Sequence, residues 1–166
     1  ATLDLHAARA AVREATPLVN ALTNAVTVND VANATLHWGG LPVMSDDDRE
    51  VASMVAGAQG LLLNMGTVSE ASEAAMLTAG EAAADHDVPT VIDPVGAGAT
   101  PTRDRVAERL VTELQPAIIS GNYGEIAALV GEDADVRGVE SVGDHGDIAT
   151  TAVACARETD AVVVAS

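Results

Sequence analysis

At 166 residues and 48% apolar content, the chain is long enough for one domain with a full core and too apolar for intrinsic disorder. With one Trp, one Tyr and no Phe, that core must be built from small aliphatic side chains. Twenty-five acids against eight basic residues, all arginine, give a net charge of −17, which argues against nucleic acid and anionic membranes as partners.

In chain order, an amphipathic stretch predicts a helix over residues 4–15 and an apolar run predicts a strand over 18–22. Asn20, Thr23 and Asn24, followed by Val26 and Asn29, sit at that strand's end. Neutral amides and hydroxyls there suit an uncharged polar ligand, and they serve equally well as caps for the next helix. That helix, 28–38, shows the 3.6-residue period at Val28, Val31, Ala32 and Thr35, with Thr27 and Asp30 spaced as a capping box. A strand over 41–44 ends on Met44, either a soft wall for a flat apolar ring or a core filler. The acid run Asp46-Asp47-Asp48 leads into a helix over 48–56. A strand over 60–64 and a helix over 70–85 follow, the latter with Thr67 and Glu70 as its start signal.

The strand predicted over 90–93 delivers Asp93 into Pro94-Val95-Gly96-Ala97-Gly98-Ala99-Thr100. In parallel α/β sheets ligands sit outside the carboxyl ends of the strands. A glycine turn there lets main-chain N–H groups approach an anion, with the carboxylate beside it for a cation or a hydroxyl proton. A tight turn with no ligand gives the same sequence, and the third glycine of a dinucleotide fingerprint is absent. A helix over 103–114 and a strand over 117–120 bring Gly121-Asn122-Tyr123-Gly124-Glu125, at the head of a helix over 123–130. Glu125, one turn beyond Asn122, suits a magnesium-bound water near phosphates and also an ordinary capping box. A Gly/Asp-rich connection over 131–147, a helix over 148–158 and a strand over 161–165 complete the series.

This alternation predicts one α/β domain over 1–166 with a mainly parallel sheet. The last strand reads as buried on both faces, so a further covering element is expected and the chain reads as cut off within its fold. Asp85-His86-Asp87 and Asp144-His145-Gly146-Asp147 lack the spacing of a structural zinc site and read as solvated turns. Cys155, the lone cysteine, excludes an internal disulfide and reads as helix packing in a reducing compartment. No signal-peptide or anchor pattern opens the chain, so the cytoplasm is the expected location. Acids and Arg in place of Lys suit a salt-rich cytoplasm, where molar salt screens the repulsion; an acidic interaction surface is the alternative.

Taken together, Thr23-Asn24-Ala25-Val26-Thr27-Val28-Asn29-Asp30-Val31-Ala32-Asn33, Pro42-Val43-Met44, Asn64-Met65-Gly66-Thr67, the Asp93–Thr100 segment and Gly121-Asn122-Tyr123-Gly124-Glu125-Ile126 resemble the hydroxyethylthiazole kinase family. The resemblance runs from about residue 17 to Ser166. It implies a ribokinase-like three-layer αβα sandwich, truncated at its C-terminus. It also implies transfer of the ATP γ-phosphoryl to the alcohol of 4-methyl-5-(2-hydroxyethyl)thiazole in thiamine salvage. Asn24, Val26 and Met44 match the family's thiazole surroundings, and Gly66 and Thr67 match a loop that closes the pocket. Asp93 and Glu125 match acids linked to Mg2+ and the phosphates; Ser120, Asn122 and Ser166 match nucleotide-contacting positions. A homotrimer with thiazole sites between subunits is implied as well. Two departures stand out. Ser120 replaces a usual Arg, which removes a fixed positive charge facing phosphate. The family's Gly-Thr-Gly anion hole and alcohol-activating residue match nothing up to Ser166, so the catalytic residues are expected beyond it. The rival expectations are a non-catalytic thiazole-binding, nucleotide-binding or assembly protein, and a ribokinase-like kinase for another small alcohol.

Overall fold

A computed structural model describes residues 4–131, 136–137, 140–141 and 147–166. The elements run α1 (Leu5–Ala15), β1 (Leu18–Leu22), α2 (Val28–Trp38), β2 (Leu41–Val43), α3 (Val51–Ala56), β3 (Gly60–Asn64) and α4 (Glu70–Asp85). They continue with β4 (Thr90–Asp93), α5 (Pro101–Leu114), β5 (Ile118–Gly121), α6 (Tyr123–Leu129), a short antiparallel ribbon of β6 (Val136–Arg137) and β7 (Glu140–Ser141), α7 (Ile148–Thr159) and β8 (Val162–Ala165). The predicted Gly/Asp-rich connection and the Asp144-His145-Gly146 cluster lie largely outside the described residues.

Among the described residues, six strands form one parallel sheet in the order β2-β1-β3-β4-β5-β8. The chain steps outward once, from β1 to β2, and in the other direction thereafter. Right-handed crossovers therefore place α2 on one face and α3 to α7 on the other. The helix contacts agree: α3 packs on α4, α4 on α5, α5 on α6 and α6 on α7, while α1 packs on α2.

The core lies between the sheet and the α3–α7 layer. Leu61, Leu63, Ile92 and Ile119 point into it and meet Val55, Met76, Ala79, Val106, Leu110 and Ile126. Alanines on α4 and α5 let the helices approach without aromatic filling, as the composition requires. Cys155 is buried in this cluster, and burial raises its thiol pKa, so it packs as a small apolar residue.

Strand alternation puts the intervening residues on the opposite face. There the register lines up Leu62, Val91, Ile118 and Val162, and one pleat further on pairs Asn64 with Asp93 and Ser120 with Val164. Val162 and Val164 are 63% and 52% exposed, so β8 is an edge strand with one open face in this chain.

Helix starts differ from the sequence reading for local reasons. Thr27 makes no side-chain cap; Asn24 Oδ1 instead accepts from the N–H groups of Val26 and Thr27 at 3.0 and 3.1 Å. α4 is capped by a Ser69/Ser72 capping box rather than by Thr67 and Glu70. Residues 47–50 form a turn held by Asp47, which delays α3 to Val51. α5 begins two residues earlier than predicted, because Thr100 accepts from Arg103 N–H and Pro101 suits the first helical position. At the end of α4, His86 caps the helix with its ring on Ala82 O and Asp87 turns left-handed, so the Asp85-His86-Asp87 run is a helix end.

Candidate active site at the strand ends

The carboxyl ends of β1, β3, β4 and β5 bring together most of the residues singled out in the sequence. The β4–α5 turn departs from the anion-cradle expectation. Gly96 and Gly98 take positive φ, 76° and 87°, which glycine adopts freely. Their N–H groups, however, are held by protein carboxylates. Gly96 donates to Glu125 Oε1 at 2.8 Å and Gly98 to Asp104 Oδ1 at 2.6 Å. Ala97 and Ala99 N–H close local turns onto Pro94 and Gly96 carbonyls. Both glycine N–H groups are thus engaged by acids of this chain.

Glu125 is 4% exposed. Its second oxygen, Oε2, accepts from Asn122 N–H at 2.9 Å, while Asn122 Oδ1 accepts from Glu125 N–H at 3.0 Å. The capping box anticipated at Asn122 and Glu125 is therefore formed, and its carboxylate also reaches the neighbouring strand's turn. One buried acid ties the β5–α6 corner to the β4–α5 corner.

Asp93 is half-buried at the end of β4. Burial, and then the negative charge of Glu125, push its pKa up to about 6, against a hydrogen bond from Asn64 that lowers it. Two carboxylates whose charges act on one another in this way suit a hard cation. Magnesium fits such a pair, since it is commonly held by one or two carboxylates with water and phosphate filling its other positions. Glu125 already accepts two main-chain N–H bonds, so it suits a contact through water.

The opposite side of Asp93 is polar but uncharged. Asn64 Nδ2 donates to Asp93 Oδ2 at 2.8 Å, and Asn64 Oδ1 accepts from Asn24 Nδ2 at 3.1 Å and from Gly66 N–H at 3.0 Å. Asn24, Gly66 and Asp93 are thus joined in one network. Val26 is 88% exposed, and Thr67 is exposed on the lip of an open cleft of about 540 Å³ between the 23–25 turn, the 46–48 acid run and α4. Met44 lies just past β2, half-buried, in a segment pinned to β1. There the buried Asn20 pairs with the main chain of Ser45, its Nδ2 donating to the carbonyl and its Oδ1 accepting the N–H, both at 3.2 Å. Asn20 is therefore engaged in structure, while Asn29 is exposed on α2.

Ser120 stands on β5 beside β8, and Asn122 caps α6. Ser166 joins them: its N–H donates to Gly121 O and its carbonyl accepts from Tyr123 N–H, both at 3.1 Å. The three expected nucleotide-side residues share one corner of the sheet.

Two residues carry more of this geometry than the sequence reading gave them. Asn64 ends an apolar strand in register with Asp93, the same placement that drew attention to Asp93 itself. Arg103 makes no ion pair in the described structure. Its Nη1 donates to Met65 O at 2.9 Å and Val95 O at 2.6 Å, and its Nη2 to Gly66 O at 3.0 Å. Nothing in a linear reading of Arg103 marks it.

The family model for the hydroxyethylthiazole kinase family matches residues 10–166. The chain belongs to the hydroxyethylthiazole kinase family. It is 66% identical over 166 residues to a hydroxyethylthiazole kinase of Natronomonas pharaonis, covering all of this chain and 60% of that relative. Among solved structures, it is similar to a hydroxyethylthiazole kinase protein of Pyrococcus horikoshii OT3, with a TM-score of 0.86 and 35% identity over 96% of this chain and 59% of the other. A last common ancestor of vitamin kinases shares the fold at a TM-score of 0.60 and 14% identity, over 90% of this chain and 77% of its own. The fold is accordingly the ribokinase-like α/β fold. The chain spans about 60% of the length of the hydroxyethylthiazole kinase relative from Natronomonas pharaonis.

Proposed function

We propose that this chain carries the alcohol-binding and metal-binding part of a kinase that transfers the ATP γ-phosphoryl to the hydroxyl of 4-methyl-5-(2-hydroxyethyl)thiazole. The observation that carries this reading is the continuous network from the Asp93 carboxylate through Asn64 to Asn24, at the carboxyl ends of parallel strands. It puts an acid suited to a divalent cation next to neutral amides suited to an uncharged polar ring. Phosphoryl transfer relies mostly on positioning and charge neutralisation, and this site has the parts for both.

Asn24, Val26 and Met44, with Gly66 and Thr67 as the closing loop, would surround the thiazole. Asp93, with Glu125 through water, would hold Mg2+, which when bound neutralises charge on the phosphates. Ser120, Asn122 and Ser166 would face the nucleotide. The assembly implied by the family resemblance is a homotrimer with thiazole sites between subunits, and the nearly bare Val26, with Trp38 and Leu41 47% and 49% exposed, leaves apolar surface for a neighbouring copy. The net charge of −17 supports a salt-rich cytoplasm as its setting; no described helix is long and apolar enough to cross a membrane.

The test is thiazole-dependent ADP release by the intact gene product, with Mg2+ in molar potassium chloride. Turnover that falls at least about 100-fold in Asp93→Ala is the expected result. A well-folded wild type that binds the thiazole without turnover would instead favour the binding or assembly reading. Preference for another small alcohol would reassign the substrate.

A further inference from the structure

Asn64 has a fixed sense. Gly66 N–H donates to its Oδ1, which therefore must be the carbonyl side, so the NH2 group faces Asp93 and donates to it. The same Oδ1 accepts from Asn24 Nδ2. Asn24 passes the arrangement on, since its Oδ1 holds the N–H groups of Val26 and Thr27. Among the described residues, no other side chain bonds to both Asp93 and Asn24. Gly66 is shaped to leave room for this bond. A Cβ there would lie 2.5 Å from Asn24 Nδ2 and 2.9 Å from Asn64 Oδ1.

We propose that Asn64 is a positioning residue that couples the two halves of the site, orienting the Asp93 carboxylate with its NH2 group and the Asn24 side chain and Gly66 loop with its carbonyl. The inference rests on the thiazole kinase reading and deepens it. A single planar amide presents a donor to the phosphate end and an acceptor to the alcohol end. Movement of Asn24 against a bound alcohol is therefore transmitted to the carboxylate by one rigid group. A leucine of similar shape would fill the space but could not do this.

The two faces of the amide can be tested separately in the intact gene product. Asn64→Asp keeps an acceptor toward Asn24 and Gly66 but turns the donor toward Asp93 into a repelling carboxylate. Its kcat should fall about 100-fold while the KM for hydroxyethylthiazole stays within about threefold. Asn64→Leu removes both faces; kcat should fall similarly and the Kd for hydroxyethylthiazole, measured calorimetrically, should rise about tenfold. Equal losses of kcat and affinity in both variants, or an unchanged Kd in Asn64→Leu, overturn the coupling role and leave Asn64 merely structural. Should either variant misfold, the wild-type protein labelled with 15N-asparagine supplies the answer. The Asn64 side-chain NH2 resonance should move with hydroxyethylthiazole alone and again with Mg2+ alone. A resonance that follows only one ligand, or neither, overturns the proposal. A wild type that neither binds nor phosphorylates the thiazole overturns the kinase reading and this inference together, whereas an active wild type with an indifferent Asn64 overturns the inference alone.

Discussion

Asp93 carries a charge that its place at the end of β4 disfavours. Its native pKa, pushed up to about 6 by burial and by Glu125, stands above the ordinary value of 3.8. The folded state therefore holds the proton more tightly than the unfolded chain. The contribution of Asp93 to stability is fully present below about pH 4, declines as pH rises towards 6 and is lost beyond it. Asp93→Asn should consequently raise stability at pH 7.5 by about 1–2 kcal/mol, a figure reduced for the carboxylate's partial exposure, and do little at pH 4. Urea melts at the two pH values check this; equal effects at both would mean that the charge is not what burdens the fold. If the acid pair holds a cation, Mg2+ should raise the melting temperature of the wild type at pH 7.5 and leave Asp93→Asn nearly unmoved.

Among the elements, the candidate site is held together by ties between strand ends that are distant in sequence. Glu125 joins the corner after β5 to the corner after β4, and Arg103 joins the corner after β3 to the latter. A guanidinium bonded to three carbonyls is well matched, because its planar fork aims several donors at once. Gly96 leaves the space it occupies, since a Cβ there would approach the Arg103 side chain to 3.0–3.2 Å. Arg103→Ala leaves three carbonyls without this donor and should cost about 2 kcal/mol of stability while weakening hydroxyethylthiazole binding through the loosened Gly66 loop. Arg103→Lys, a point charge with no fork, should recover less than half of that loss. Thermal melts and calorimetry on the two variants separate the outcomes, and full rescue by lysine would show that charge alone matters.

Across the whole molecule, unbalanced negative charge weighs most heavily on the folded state. The described ion pairs engage Arg49, Arg105 and Arg109, with Glu73 of α4 bridged by two arginines of α5. Most of the described acids have no counter-charge within ion-pair distance, so compaction works against self-repulsion at low salt. Raising potassium chloride from 0.1 to 3 M should lift the melting temperature by on the order of 10 °C through screening and stronger effective burial. A melting temperature independent of salt would refute salt adaptation and favour an acidic docking face.

The order and kind of the parallel strands and of the helices follow from local signals, since short β-branched runs and 3.6-residue periods need no distant partner, whereas the β6–β7 ribbon lies in a stretch that reads as a connection. β1, β3, β4, α2 and α4 match their predicted bounds, and Asp93, Asn122 and Glu125 were legible as polar residues at strand ends or helix caps. The start of α3 was missed because Asp47 makes a turn that competes with the helix, a balance the 3.6-residue period does not show. What the glycine turn does depends on contacts from distant parts of the chain. Whether Gly96 N–H meets a phosphate or a carboxylate depends on where α6 delivers Glu125, 29 residues later. The strand-end placement of Asn64 was legible, but its hydrogen bonds and those of Arg103 were not: their partners are brought close by parallel register, and a linear chain carries no sign of a hydrogen bond that closes only when β3 and β4 lie side by side.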